Sequence, residues 1–462
     1  MTLETLETFE IARRVAETVA REGGRALIVG GYVRDRLLGI EARELDIEVF
    51  GVSFEALERL LSTLGEVIHV GKAFGVFRLK GLDADFSLPR RDSKVRPGHT
   101  GFEVDYDPGM SFAEASRRRD LTMNAIGLDP LTLEYLDPHG GRRDLREKRL
   151  RATDPIHFPE DPLRGLRVAG FAARFEMAPD EELKRLSSEL DLSELSAERV
   201  FGELEKLLLR SEKPSIGFEL LRETKLLRFF PEAEALVGVP QEPDWHPEGD
   251  VWIHTMMVLD EAAKLRTGTA ADDLALMVGA LAHDFGKPAT TQTIGGRITS
   301  YEHDVKGAAI AEAFLERLRS PKELTSKVEA LVRHHLAPAL FHKNGATAKA
   351  YRRLARDLDA SGVRPDLLLR VATADHLGRT TGDAFARRFP SGDHFKKMME
   401  SLELTVAAPK DVVLGRHLIA RGLRPGPEFG RILAECRDVQ DETGWDDPER
   451  ILDRVLGLHP NG

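Results

Sequence analysis

The stretch ELDIEVF (44–50) alternates apolar and acidic residues. On a strand, that period puts Leu45, Ile47 and Val49 on one face and Glu44, Asp46 and Glu48 on the other. LDADF (82–86) repeats the arrangement, with Asp83 and Asp85 opposite Leu82, Ala84 and Phe86. Carboxylates gathered this way repel one another unless solvent or a cation relieves them. Two such faces converging suit Mg²⁺, which takes oxygen ligands and bridges carboxylates to substrate phosphates. An edge strand guarded by charge gives the same pattern without a metal. Upstream, LIVGGYVRDRLLG (27–39) reads as a strand ending in Gly30-Gly31 and opening a helix. Backbone N–H groups at such a helix end suit a triphosphate, and Arg34, one turn in, is placed to clamp it.

Histidine supplies a second chemistry. His254, His283-Asp284, His303, His334-His335 and Asp375 are spread over an apolar, helical part of the chain. LALMVGALAHDFGKP (274–288) puts an ionisable pair at the end of an apolar helix, where it needs a partner. A metal is one such partner. Imidazole and carboxylate ligands suit Mn, Ni, Fe or Co better than Mg²⁺.

These residues need elements to hold them. Residues 1–22 read as an amphipathic helix, 25–29 as a strand, and 76–89 as paired strands, an α/β opening of about 150 residues. Beyond Leu150 helical periodicity dominates, and the Pro- and Asp-rich stretch 231–250 reads as a linker or loop. The chain has 462 residues, 42% of them apolar, with a formal net charge of -11. That charge argues against broad coating of nucleic acid, so any RNA contact must be local. Basic stretches lie at 71–100, at 142–151 and in the tail around Arg416, Arg421, Arg424 and Arg431. The single cysteine, Cys436, excludes a disulfide framework and a thiolate zinc cage. A reducing cytoplasm fits, and no apolar run is long enough to span a membrane.

Five ordered blocks carry a resemblance: GGYVRDRLLG, ELDIEVFG, RRRDLTMNAIG (117–127), EDPLRGLRVAGFAARF (160–175) and SAERVFGELEKLL (196–208). Together they resemble the bacterial class II tRNA nucleotidyltransferase and poly(A) polymerase family. The resemblance implies a polymerase-β-like α/β palm (head) over 1–150, then a helical neck/body with a nucleotide-selecting motif over 151–235. It implies that Gly30, Gly31 and Arg34 hold the triphosphate. The family's paired metal aspartates fall on Glu44 and Asp46, a departure from Asp at the first position, and Glu48 stands as an alternative to Glu44. Asp85 is implied as the third carboxylate, nearest the primer hydroxyl. Arg119, Asp120 and Asn124 match the motif that contacts the nucleotide sugar and phosphates. Glu160, Asp161 and Arg164 match the amino-acid template that reads C or A, with Arg167 behind the nucleotide. The loop near 91–110 corresponds to the family's flexible loop.

The segment VGKAFGVFRLKGLDADFSLPRRDSKVRPGH (70–99) resembles the CCA-adding type. DWHPEGDVWIHTMMVLDEA (244–262) resembles the HD portion of multifunctional CCA enzymes, which implies an all-α HD phosphohydrolase domain over 236–400 and a helical tail over 401–462. In the HD pattern His254, His283, Asp284 and Asp375 bind one metal, and His303 and His335 are candidates to complete a two-metal site. The expected enzyme adds CCA to a tRNA 3′ end from CTP and ATP with Mg²⁺. Its second site hydrolyses phosphoesters such as 2′,3′-cyclic phosphates. An A-adding enzyme, a poly(A) polymerase, an HD phosphohydrolase with a degenerate palm and a non-catalytic tRNA-binding protein are the alternatives.

Overall fold

A computed structural model describes residues 3–41, 45–70, 76–94 and 102–457. Glu44, residues 71–75 of the first basic stretch and residues 95–101 of the expected flexible loop lie outside the described residues. The chain forms two compact units. One comprises Met1–Ser196 and Leu220–Phe229, the other Ala197–Glu219 and Phe230–Gly462.

The first unit is built on a seven-stranded sheet. Helix α1 (Leu3–Arg21) leads into β1 (Arg25–Val29), α2 (Gly31–Leu37), β2 (Leu45–Phe50) and α3 (Phe54–Ser62). Strands β3 (Val67–Val70), β4 (Val76–Leu79) and β5 (Ala84–Ser87) follow. Strands β6 (Arg90–Lys94) and β7 (Phe102–Tyr106) make a separate antiparallel pair. After helix α4 (Phe112–Ser116), strands β8 (Gly127–Leu128) and β9 (Tyr135–Leu136) complete the sheet in the order β3-β4-β5-β2-β1-β8-β9. Strand β2 pairs antiparallel with β1 and parallel with β5. Its apolar residues are buried, and on the acidic face Glu48 is buried too, met by Arg118 and Arg119, while Asp46 is exposed.

Two short elements then set the site. A single turn (Thr122–Asn124) packs against α5 (Gly141–Arg146), and α6 (Leu163–Phe175) follows. The buried Asp144 carboxylate joins them, accepting from Thr122 Oγ1 at 2.6 Å and from Arg151 Nε at 3.0 Å. Gly141 is required here: a Cβ at this position would stand 2.1 Å from the Thr122 carbonyl oxygen.

The second unit is helical, as its periodicity predicts. Helices α7 (Val251–Lys264), α8 (Ala270–Ala282), α9 (His303–Arg317), α10 (Lys322–His334) and α11 (Pro365–Leu377) pack together. Helix α8 is apolar nearly all round and runs through the centre. A small hairpin, β10 (Gln292–Ile294) with β11 (Arg297–Thr299), interrupts the helical run; three-residue strands leave too short a pattern to detect. The segment read as a linker at 231–250 begins with a helical turn, Pro231–Glu234, and its later residues face the second site. The tail builds its own small core from Leu418, Ile432, Cys436, Ile451 and neighbours, and burial raises the Cys436 thiol to about 11. Among the described residues no helix is long and apolar enough to cross a membrane.

Gly141→Ala should therefore push the Thr122–Asn124 turn from its seat. We expect a loss of about 2 kcal/mol or more in stability, read as a lowered midpoint of thermal unfolding.

Candidate functional sites

The sheet brings the two acidic strands side by side. Asp46 on β2 sits in register with Asp85 on β5 and with Val29 on β1. Asp46 is exposed; Asp85 is half-buried and accepts from Arg78 Nε at 2.7 Å. Beyond Val29, Gly30 turns the chain into α2 with φ 74° and ψ -138°. A Cβ there would lie 3.1 Å from both Asp46 Oδ2 and Arg119 Nη1. Glycine is thus needed both for the left-handed φ and for the close approach of an acid and a base. Gly30, Asp46, Asp85 and Arg119 gather at one end of the central strands. Gly31 begins α2, against the Arg34 guanidinium.

Arg34 is buried rather than projecting. Its Nε donates to Asp35 Oδ1 at 2.7 Å and its Nη1 to Asn124 Oδ1 at 2.7 Å, while Phe171 and Phe175 cover its face. Asn124 Nδ2 donates to Asp120 Oδ1 at 2.8 Å, and Arg167 Nε donates to Asp120 Oδ2 at 2.7 Å. Arg34, Asn124, Asp120 and Arg167 therefore form one hydrogen-bonded chain across α2, the 122–124 turn and α6. Burial works to raise the Asp120 carboxyl, but Arg167, Asn124 and the Leu121 N–H outweigh it and hold it below the usual range. In the template motif, Arg164 donates to the carbonyls of His157 at 2.7 Å and Arg118 at 2.6 Å, so its plane is set by main chain. Asp161 Oδ1 accepts from the Leu163 N–H at 3.2 Å. Glu160 pairs with the ring of His157 at 2.8 Å.

In the second unit the scattered histidines converge. Asp250 caps α7 by accepting from the Ile253 N–H, which places His254 in the first turn. His283 and Asp284 end α8, His303 opens α9, His335 follows α10, and Asp375 lies near the end of α11. Ring centroids of His254 and His283 are 5.4 Å apart, those of His283 and His335 5.5 Å, and those of His303 and His335 5.3 Å. His254 Nε2 is 3.1 Å from Asp375 Oδ1, and His303 Nε2 is 3.4 Å from Asp284 Oδ1. Glu302 takes a left-handed φ of 60° to start α9 at this point.

Three of these imidazoles are oriented identically. Nδ1–H of His283, His303 and His335 donates to the carbonyl three residues back, Ala280, Ser300 and Val332, at 2.7, 2.7 and 2.6 Å. A carbonyl only accepts, so each Nε2 turns inward. His303 Nε2 and His335 Nε2 are then 3.3 Å apart, a repulsion that a shared proton or cation relieves. His283 Nε2 is shielded from solvent and completes no directed hydrogen bond, while Asp284 Oδ2, 3.2 Å from it, meets Lys287 Nζ at 2.7 Å. Lys287 Nζ and the ring of His283 keep Asp284 far below the usual carboxylate range despite its burial. Burial, with His303 and His283 nearby, lowers His335 to about 4, leaving a neutral ligand at pH 7. This donor set fits a divalent transition metal.

Sequence reasoning did not single out His246, Glu248, Lys287 and Arg379. Glu248 Oε1 lies 2.9 Å from His246 Nδ1 and 2.8 Å from His254 Nδ1, though the latter is off the line of a directed bond. Arg379 Nη2 pairs with Asp375 at 3.0 Å. The His-x-Glu of DWHPEGD and the Lys three residues after Asp284 were the available signals. The tail arginines are partly spoken for: Arg421 pairs with Glu449 and Asp453, and Arg431 with Glu428 and Glu435.

Residues 26–151 match the poly A polymerase head domain, 177–236 the "probable RNA and SrmB- binding site of polymerase A", and 251–373 the HD domain. A multifunctional CCA protein of Xanthomonas campestris pv. campestris is 35% identical over 426 residues, which cover 89% of this chain and 96% of that one. The multifunctional CCA protein of Aromatoleum aromaticum is 39% identical over 370 residues, covering 77% and 85%. Among solved structures, the Bacillus stearothermophilus CCA-adding enzyme in complex with CTP aligns over 100% of this chain and 98% of its own, with a TM-score of 0.66 at 20% identity. The Thermotoga maritima CCA-adding enzyme complexed with tRNA aligns over 99% and 96%, with a TM-score of 0.59 at 18% identity.

Gly286 offers a test of the second site. A Cβ there would stand 2.0 Å from the His303 carbonyl oxygen. Gly286→Ala should displace His303 and weaken Mn²⁺ or Ni²⁺ binding by about tenfold or more, measured by calorimetric titration.

Proposed function

We propose a function from the premise that this chain belongs to the multifunctional CCA protein family, and so is a tRNA nucleotidyltransferase that also carries an HD domain. Its first unit adds CCA to tRNA 3′ ends from CTP and ATP. The observation that carries this reading is the pairing of Asp46 with Asp85 beside the Gly30 turn and Arg119. The oxygens of Asp46 and Asp85 suit Mg²⁺, with Glu44 as the third donor; the burial of Glu48 against Arg118 favours Glu44 over Glu48 in that role. When bound, Mg²⁺ would supply charge neutralisation to the phosphoryl oxygens.

The chain's own residues do the positioning. The open backbone at Gly30 admits a phosphate close to the sheet end. Arg119 faces the same point with a positive charge. Asn124, Asp120 and Arg167 hold one another, so the groups meeting the sugar are ordered before the nucleotide arrives. Asp161 accepts from an exocyclic amino group and Arg164 donates to ring acceptors. C and A present that pattern, whereas U and G do not.

The second unit hydrolyses phosphoesters at the histidine cluster, with a 2′,3′-cyclic phosphate as its substrate class. His254, His283, Asp284 and Asp375 would hold one divalent transition metal, and His303 and His335 a second. The metal would supply a Lewis acid and an activated water. Lys287 and Arg379 keep the carboxylates ionised and fixed. Both reactions belong with tRNA in the cytoplasm.

Purified chain with Mg²⁺, CTP and ATP should extend a tRNA lacking its CCA end by C, C and A. Addition of A alone to tRNA ending in CC would mean an A-adding enzyme, and long A tails a poly(A) polymerase. Asp46→Ala should cut extension by about a thousandfold while sparing cyclic-phosphate hydrolysis, and His283→Ala should do the reverse. Extension that survives Asp46→Ala would sink the metal assignment.

A further inference from the structure

Three acids were expected on one strand face; Glu44 lies outside the described residues, and of the other two the structure sets Glu48 apart from Asp46. Glu48 is fully buried, two residues along the strand from the exposed Asp46. A carboxylate withdrawn from water is costly unless cations and donors surround it. Glu48 Oε1 accepts from Arg118 Nη2 at 2.9 Å. Its Oε2 completes no hydrogen bond and faces Arg119 Nη2 at 3.9 Å. Arg118 is gripped from the opposite side too, because its carbonyl accepts from Arg164 Nη2 at 2.6 Å. Arg119, the next residue, carries its guanidinium to the Gly30 turn beside Asp46.

We infer that Glu48 is a positioning residue: it anchors the Arg118–Arg119 pair and so aims Arg119 at the phosphate-binding turn. The inference rests on the nucleotidyl-transfer reading of the first unit. It also explains how a third acid is tolerated beside Asp46. Paired with arginine and buried, Glu48 adds little to the repulsion on that face. A metal-ligand role would fall to Oε2, the oxygen that faces Arg119 and is shielded from solvent.

The test compares tRNA extension by the full chain, wild type and Glu48→Gln, across CTP, ATP and Mg²⁺ concentrations. The amide keeps the shape but removes the charge that faces two arginines. We expect KM for CTP and ATP to rise about tenfold, with kcat within about threefold and the Mg²⁺ half-saturation unchanged. Arg118→Gln should raise KM similarly, and the double variant should go no further, since both changes break one interaction. A collapse of kcat with a shifted Mg²⁺ dependence would show Glu48 to be a metal ligand and overturn the inference. Unchanged KM, or additive effects in the double variant, would also overturn it. If Glu48→Gln shows no cooperative melting transition, Arg118→Gln decides alone, and an unchanged KM there is fatal. Wild type that neither binds CTP in calorimetry nor extends tRNA would bring down the transfer reading itself, and this inference with it. Wild type that does both, beside variants with no shift, removes only the role of Glu48.

Discussion

The Asp120 carboxylate is the interaction on which the first unit depends. It is buried, and it is met by Asn124 Nδ2, the Leu121 N–H and both Nε and Nη2 of Arg167. Removing a carboxylate from water is tolerated only when its lone pairs are filled and a cation stands near. The donors come from two places, Arg167 from α6 and Asn124 with the Leu121 N–H from the turn that α5 supports, and Arg34 on α2 is tied in by donating to Asn124. Satisfying one charge therefore fixes the relative orientation of three elements around the Gly30 turn.

The second unit answers the same constraint in the opposite way. Its central groups are buried but incompletely satisfied. Main-chain carbonyls take the outer nitrogens of His283, His303 and His335, so their inner nitrogens face one another and the carboxylates. Lys287 meets Asp284 Oδ2 at 2.7 Å and Arg379 pairs with Asp375, yet His283 Nε2 is left without a directed hydrogen bond. A core that keeps such atoms dry is organised around something it binds.

Charge placement within this chain of net charge -11 is uneven. Several arginines that look available in the sequence are engaged: Arg118 with Glu48, Arg151 with Asp144, Arg421 with Glu449 and Asp453. Acidic residues such as Glu48, Asp120 and Asp144 are buried partners of arginine and do not present their charge to solvent. Formal charge thus understates how local the electrostatic surface is.

Much of this was legible in order and period. Strand β1 and helix α2 fall where RALIV and the glycine pair put them, because apolar runs and positive-φ turns are local properties. The His-Asp pair at the end of an apolar helix was visible for the same reason. The hairpin at 292–299, the site-facing residues of the 231–250 stretch and the burial of Glu48 were not, because each depends on what packs against a short segment. By itself the sequence determined which residues share a strand face or a helix end, since backbone geometry sets that spacing. Only the tertiary structure decided which acid meets an arginine and which meets solvent. Burial and pairing are made by distant residues, and a carboxylate two positions along one strand can be ligand or anchor depending on the neighbour that covers it.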